Sequence, residues 1–259
     1  MLKKFKMENC NPVSTPLAIN EKLSKADGDA KVDVTQYRSL VGSLLYLTTT
    51  RPDLMFCSSL LSRFMHSPSL THFGVGKRVL RYLKVTVDFG IWYSKSDGKV
   101  EGFVDSDWVG SIDDFKSTTG YVFSLGSGVF SWNSKKQDVV AQSFAETEYV
   151  AAATTPNQAI WVRKVLIDLS HVQVKPIVLW CDNKSAISIA KNPIQHGRTK
   201  HINVKFYVIR ETGKNGDVQL MFCRYEEQLA DILTKALPSA KFNELRSTLE
   251  VFKKSFKEC

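Results

Sequence analysis

Four carboxylates of this 259-residue chain stand where chemistry could be done: Asp105, Glu148, Asp182 and Asp231. An apolar residue flanks each of them (Val104, Tyr149, Cys181 after Trp180, Ala230), so each acid leaves a buried element as that element reaches the surface. Clustered carboxylates repel, and apolar surroundings raise their pKa values unless cations neutralise them. Magnesium suits that task, because it takes hard oxygen ligands and keeps waters for substrate and nucleophile. Two such ions roughly 4 Å apart activate a water and stabilise the leaving 3′ oxygen of an in-line displacement at phosphorus, and manganese can replace them. No covalent nucleophile is then required. Singly, the acids have plainer readings: Asp182 as a turn or N-cap residue before Asn183, and Glu148 as a first-turn acid favoured by the helix dipole. Asp107 competes with Asp105, since two residues on it shares the same face of a continuing strand. Glu146 precedes Glu148 by two on a helix and points elsewhere.

The metal reading needs four separate elements to converge, and the hydrophobic pattern supplies them. Residues 98–237 read as strands Lys99–Asp105, Tyr121–Leu125 and Val129–Trp132, the last two joined by Gly126-Ser127-Gly128 as a hairpin signal. A long helix Ala145–Leu169 follows, which Pro156 should kink or divide for want of an amide donor. Strand Ile177–Asp182, helices Lys184–Ala190 and Thr199–Glu211, strand Val218–Cys223 and a closing helix Gln228–Leu237 complete the order. The expected fold class is α/β: a five-stranded mixed sheet flanked by helices, preceded by a small all-helical region.

That helical region spans residues 35–95. Thr35 is available as an N-cap, Pro52 suits a first helical turn, and a third helix from Leu70 to Lys84 buries Phe73, Val75, Val79, Leu80 and Leu83. Its Lys77, Arg78, Arg81 and Lys84 form a basic patch, which is either a solvated face or a phosphate-tracking one. Residues 1–34 carry Pro12, Pro16, Gly28 and many charges without a sustained period; an extended lead-in with no core is expected. Residues 238–259 are expected to form a helical tail.

The formal charge of +9, from 35 Lys and Arg against 26 Asp and Glu, favours a polyanionic partner. Five scattered cysteines, Cys10, Cys57, Cys181, Cys223 and Cys259, without a Cys-x-x-Cys pair read as free thiols of a reducing compartment, cytoplasm or nucleus. His196 and His201 lack a zinc-site pattern, and no apolar run is long enough for a signal or membrane segment. Trp92, Trp108, Trp132, Trp161 and Trp180 are mostly spaced as core residues.

Seven segments in order, VDSDWVG (Val104–Gly110), KSTTGYVF (Lys116–Phe123), SWNSKKQ (Ser131–Gln137), AETEYVAA (Ala145–Ala152), CDNKSAI (Cys181–Ile187), RTKHINV (Arg198–Val204) and QLADILTKALP (Gln228–Pro238), closely resemble the ribonuclease H region of copia-type LTR retrotransposon Pol polyproteins. Tyr37–Phe56 and Gly76–Tyr93 resemble the thumb or connection region that precedes it, so the resemblance covers nearly the whole chain. It implies an RNase H-like fold and a metal-dependent endonuclease that hydrolyses the RNA strand of RNA–DNA hybrids with two magnesium ions. The family's metal ligands match Asp105, Glu148, Asp182 and Asp231. Lys135, Lys136, Arg198 and Lys200, with Lys77, Arg78 and Arg81, are candidates for the hybrid's backbone. Phe144, Pro156 and Val85 depart from the family's usual residues, and no Tyr-x-Asp-Asp polymerase, protease or integrase motif is present. The chain is expected to begin inside the polyprotein, with the polymerase part as a partner and no membrane contact. The alternative expectation is a catalytically silent remnant or a host-recruited nucleic-acid-binding fragment.

Overall fold

The computed structural model describes residues 1–96, 98–191 and 203–253, with side chains described throughout except at 203–207. In chain order the helices are α1 Val34–Leu47, α2 Met55–Ser62, α3 Leu70–Val85, α4 Phe144–Thr154, α5 Pro156–Asp168, α6 Lys184–Lys191, α7 Asn203–Lys214 and α8 Ser239–Thr248. The strands are β1 Gly90–Ile91, β2 Val100–Asp107, β3 Thr118–Leu125, β4 Val129–Lys136, β5 Ile177–Cys181, β6 Val218–Phe222 and β7 Val251–Phe252. No helix of the described residues is long and apolar enough to cross a membrane.

Five strands form one mixed sheet in the order β4-β3-β2-β5-β6. The β2–β3 and β3–β4 pairs are antiparallel, and β2–β5 and β5–β6 are parallel. This bears out the expected five-stranded mixed sheet flanked by helices. Its two faces carry different partners, as the period of two along a strand demands. Val104, Phe123 and Leu179 point into a core shared with α4–α7. Phe103, Val122, Val129 and Trp132 face a second core built with α1–α3 and α8. The molecule is therefore layered as helices, sheet, helices. Trp132 Nε1 donates to Thr48 O at 2.9 Å, tying the sheet to the end of α1.

Several local expectations change. Asp33, not Thr35, caps α1, its carboxylate accepting from Thr35 N at 2.8 Å. A buried apolar pattern cannot distinguish two capping residues two positions apart, and the carboxylate is the stronger acceptor. Pro156 divides the long helix between Thr154 and Pro156. The closing helix is instead a five-residue 3₁₀ turn, Leu229–Leu233. Residues 1–34 stay largely non-helical yet contribute Phe5, Leu17 and Leu23 to the core, because isolated apolar residues in an extended segment have no period to reveal them. Past α8 the chain turns into β7, which pairs antiparallel with β1. Trp161, expected in the core, is 57% exposed.

Candidate metal centre

The C-terminal ends of β2 and β5 lie side by side, because parallel pairing sets Phe103 opposite Trp180. Asp105 and Asp182 follow directly beyond that register. Glu148 arrives from the sheet face covered by α4. Its Oε1 accepts from both the backbone N and the Oγ of Ser106, each at 3.0 Å. Ser143 caps α4, accepting from Glu146 N at 3.2 Å, which fixes the turn on which Glu148 sits.

Asp231 arrives from the opposite face. Gln228, fully buried, donates through Nε2 to Val104 O at 3.0 Å and accepts from Ala230 N at 3.2 Å, so the 3₁₀ turn is pinned to β2. Gly120, paired with Asp105 in the ladder, makes the close approach feasible. A Cβ there would lie 2.8 Å from both Leu233 Cβ and Thr234 Cγ2, well inside contact distance. Thr234 Oγ1 donates to Asp105 Oδ2.

Four acids from four elements thus meet at one sheet end, with Asp105, Glu148 and Asp231 all buried. Burial and mutual repulsion act in the same direction. Glu148 is raised well above the ordinary carboxylate pKa by burial and by the charges of Asp105 and Asp182. Burial, then Asp105, lifts Asp231 to about 7, and burial lifts Asp107 to about 6. Asp182 is raised by burial and by Asp105. Such carboxyls favour the protonated form in the fold, so their stability contribution is present at low pH and lost as pH rises from the ordinary carboxylate range through about 7. In chelator, the melting temperature is expected to fall between pH 5 and pH 8, and added magnesium should raise it more at pH 8. Calorimetric melts at the two pH values check this.

Ligand atoms of Glu148, Asp182 and Cys181 lie within 4.8 Å of one another. Cys181 is a poor ligand for a hard ion. Burial pushes its thiol pKa well up, so the soft thiolate is not formed. Asp231 Oδ2 is buried with no hydrogen-bond partner among the described residues, which leaves lone pairs for a cation. Hard oxygen donors with unfilled lone pairs fit magnesium.

One cation is already present. Lys235 Nζ lies 2.8 Å from Asp231 Oδ1 and 3.6 Å from Asp105 Oδ2. Burial opposes its charge, yet Asp105 and Asp231 together push its pKa above the usual lysine value. Sequence reading missed Lys235, Ser106, Gln228 and Thr234. For Lys235 a signal existed, the i,i+4 spacing from Asp231 that favours an acid–base pair on a helix. Asp107 lies on the same sheet face as Asp105. Nearby, Arg63 Nη2 donates to Thr118 Oγ1 at 2.9 Å, opposite Asp107 in the ladder.

The basic candidates divide. Lys135 is exposed and Lys136 pairs with Asp114 at 2.7 Å, both at the end of β4 that lies two strands from Asp107. Three basic side chains of α3 make hydrogen bonds within the chain. Arg78 donates to Thr15 Oγ1 at 3.1 Å, Arg81 to Asn11 O at 2.6 Å and Lys84 to Cys10 O at 2.9 Å. These side chains clasp the lead-in, a long-range contact that helix periodicity cannot show. Lys77 is exposed over the Phe73 ring. Arg198, Lys200, His196 and His201 lie outside the described residues. Trp108 and Phe144, 37% and 61% exposed, pack as a ring pair with centroids 4.4 Å apart on the two segments that deliver Asp107 and Glu148.

A mixed sheet in this strand order, with carboxylates at the ends of its two central parallel strands, defines an RNase H-like α/β domain joined to an N-terminal helical region. The chain belongs to the copia-type retrotransposon Pol polyproteins, of which it forms one region. It is 38% identical over 252 residues to the retrovirus-related Pol polyprotein from transposon RE1 of Arabidopsis thaliana, covering 97% of this chain and 17% of that protein. To the Pol polyprotein from transposon TNT 1-94 of Nicotiana tabacum it is 40% identical over 249 residues, covering 93% and 19%. The chain thus spans less than a fifth of the length of these relatives. No family model matches it. Among solved structures, LC11-RNase H1 in complex with RNA/DNA hybrid aligns at a TM-score of 0.37 and 12% identity, over 52% of this chain and 94% of that one. That likeness is low, and family membership stands on the polyprotein relatives.

Proposed function

We propose that this region is a metal-dependent ribonuclease H-type endonuclease that hydrolyses the RNA strand of RNA–DNA hybrids. The observation that carries the reading is the convergence of Asp105, Glu148, Asp182 and Asp231, from both sheet faces, at one buried sheet end. The charge of Asp105 raises the pKa of Glu148, Asp182 and Asp231 alike, so Asp105 is near all three. With the other three it would hold the magnesium ions. Glu148 and Asp182 would hold one side and Asp231 the other. When bound, the ions supply a water nucleophile at neutral pH and charge stabilisation on the leaving oxygen. The chain's own contribution is positioning: Ser106 orients Glu148 and Gln228 anchors the turn of Asp231.

For the polyanionic substrate, Lys135 and Lys136 offer phosphate contacts beyond the sheet end, and the exposed Trp108–Phe144 pair offers an apolar surface beside the acids. In the family setting the polymerase part of the polyprotein is the natural partner.

The test uses the purified chain, a labelled hybrid and magnesium, beside an Asp182→Asn variant. Cleavage of the RNA strand by the wild-type chain, reduced on the order of a hundredfold or more in the variant, is the expected result, since several kcal/mol of charge stabilisation is lost. Equal inertness of both, with hybrid binding intact, would sink the enzyme reading in favour of a nucleic-acid-binding fragment.

A further inference from the structure

The carboxylate cluster is electrostatically lopsided. On one side, the Lys235 ammonium lies within 4 Å of both Asp105 and Asp231. On the other, no ion pair reaches Glu148 or Asp182 among the described residues, although their ligand atoms stand within 4.8 Å of each other. Lys235 is also unlike an ordinary surface lysine. Its side chain is 27% exposed, and it meets acids that are 2% and 1% exposed, where an i,i+4 pair on a solvated helix would face water. Its ammonium also stands 5.2 Å from the centre of the exposed Tyr225 ring. A cation–π contact of that kind gives the charge a second place to rest on the solvent side.

We propose that Lys235 is the resident cation of the cluster: its ammonium holds the place between Asp105 and Asp231 that a second divalent ion must take, so the two ions load in order. This rests on the metal reading above. The first ion enters on the Glu148 and Asp182 side, where no cation of the described residues forms an ion pair. Asp105 is then neutralised from two directions. The second ion gains the Asp231 and Asp105 oxygens only by displacing the ammonium toward Tyr225, and its apparent affinity is weakened by that competition. In the absence of metal, the same ammonium offsets the repulsion that would otherwise open the sheet end, since removing one member of a buried ion pair leaves an uncompensated charge. Lys235 is on this account a positioning residue that acts on the ligands.

Manganese binding to the full chain, measured by calorimetric titration and by the loss of the free-ion paramagnetic signal, separates the alternatives. The wild-type chain is expected to show two affinity classes. Lys235→Met keeps the stem and its packing but removes the charge. It should tighten the weaker class about tenfold, which corresponds to about 1.4 kcal/mol, and leave the tighter class unchanged. Lys235→Arg should keep the classes unequal. In chelator, Lys235→Met should melt below the wild type, and saturating manganese should close that gap. An unchanged or weakened second class in Lys235→Met, with two ions still bound, overturns the proposal while leaving the metal reading intact. If neither protein binds manganese, the metal reading itself fails. A methionine variant that melts no lower than wild type in chelator overturns the role of Lys235 as resident cation whatever the ion does.

Discussion

Replacing Glu148 by glutamine is expected to remove hybrid cleavage and, at the same time, to raise the melting temperature of the metal-free protein at pH 8. The two effects share one cause. Glu148 is buried against Asp105 and Asp182, and these surroundings raise its pKa well above the ordinary value. A charge there is costly unless metal is bound. Glutamine keeps the shape and still accepts from Ser106, which holds Glu148 Oε1 by two bonds of 3.0 Å, but it carries no charge to repel its neighbours. A gain of about 1–2 kcal/mol is the size seen when a strained functional site is relieved. The sign follows from linkage: a carboxyl with a raised folded pKa lowers stability as pH climbs past its unfolded value. The gain should therefore be present at pH 8 and vanish near pH 4.5. Under the proposed metal-dependent cleavage, loss of Glu148 as a ligand would remove several kcal/mol of transition-state stabilisation, on the order of a thousandfold in rate. Cleavage assays and melts in chelator at the two pH values check both halves. A variant that is inactive but melts lower at pH 8 would contradict burial and acid–acid repulsion as the origin of the raised pKa.

Asp53→Ala should unfold the sheet along with the helical region. Arg51 donates to Asp53 Oδ1 at 2.8 Å and Oδ2 at 2.7 Å, and to Thr86 O at 2.8 Å. Tyr82 OH donates to Asp53 Oδ2 at 2.6 Å, and Arg246 of α8 donates to Tyr82 OH at 3.1 Å. Arg51 and Asp53 are 5% and 2% exposed. Removing Asp53 strands a buried guanidinium, which costs about 3–5 kcal/mol, a large share of a typical stability of roughly 5–15 kcal/mol. The same core holds Val122 and Val129 of the sheet, so the loss is not confined to the helices. Denaturation followed by far-UV circular dichroism and by tryptophan fluorescence should give coincident transitions shifted together. Separate transitions would show that the helical region and the sheet unfold independently. The double change Arg51→Met with Asp53→Leu should recover most of the stability, since an apolar pair of similar volume leaves no unpaired charge.

Element order was legible because alternating apolar residues, turn glycines and prolines act over a few residues, although the first strand, expected to end at Asp105, runs on to Asp107. Strand ends were less so. β3 and β4 run on to Thr118 and Lys136 through polar residues, since ladder hydrogen bonds continue regardless of side-chain polarity. The segment around Asp231 has an apolar pattern that suits a helix, yet packing against β2 and β3 and the Gln228 anchor holds it as a 3₁₀ turn. Arg78, Arg81 and Lys84 read as a patch on a helix face because their partners lie 63–74 residues away in the lead-in.

Residue type and local spacing were enough for the α/β class and for the family resemblance through seven ordered motifs, which in turn singled out the four acids. They could not reveal that Asp105 and Asp231 share one ammonium, that Glu148 is buried between two other acids, or that the lead-in belongs to the core. Those outcomes depend on which faces meet across long stretches of chain, and on the burial that meeting creates. Burial raises the pKa values of Glu148, Asp182 and Asp231, so the electrostatics of the cluster were fixed where the two faces of the sheet come together.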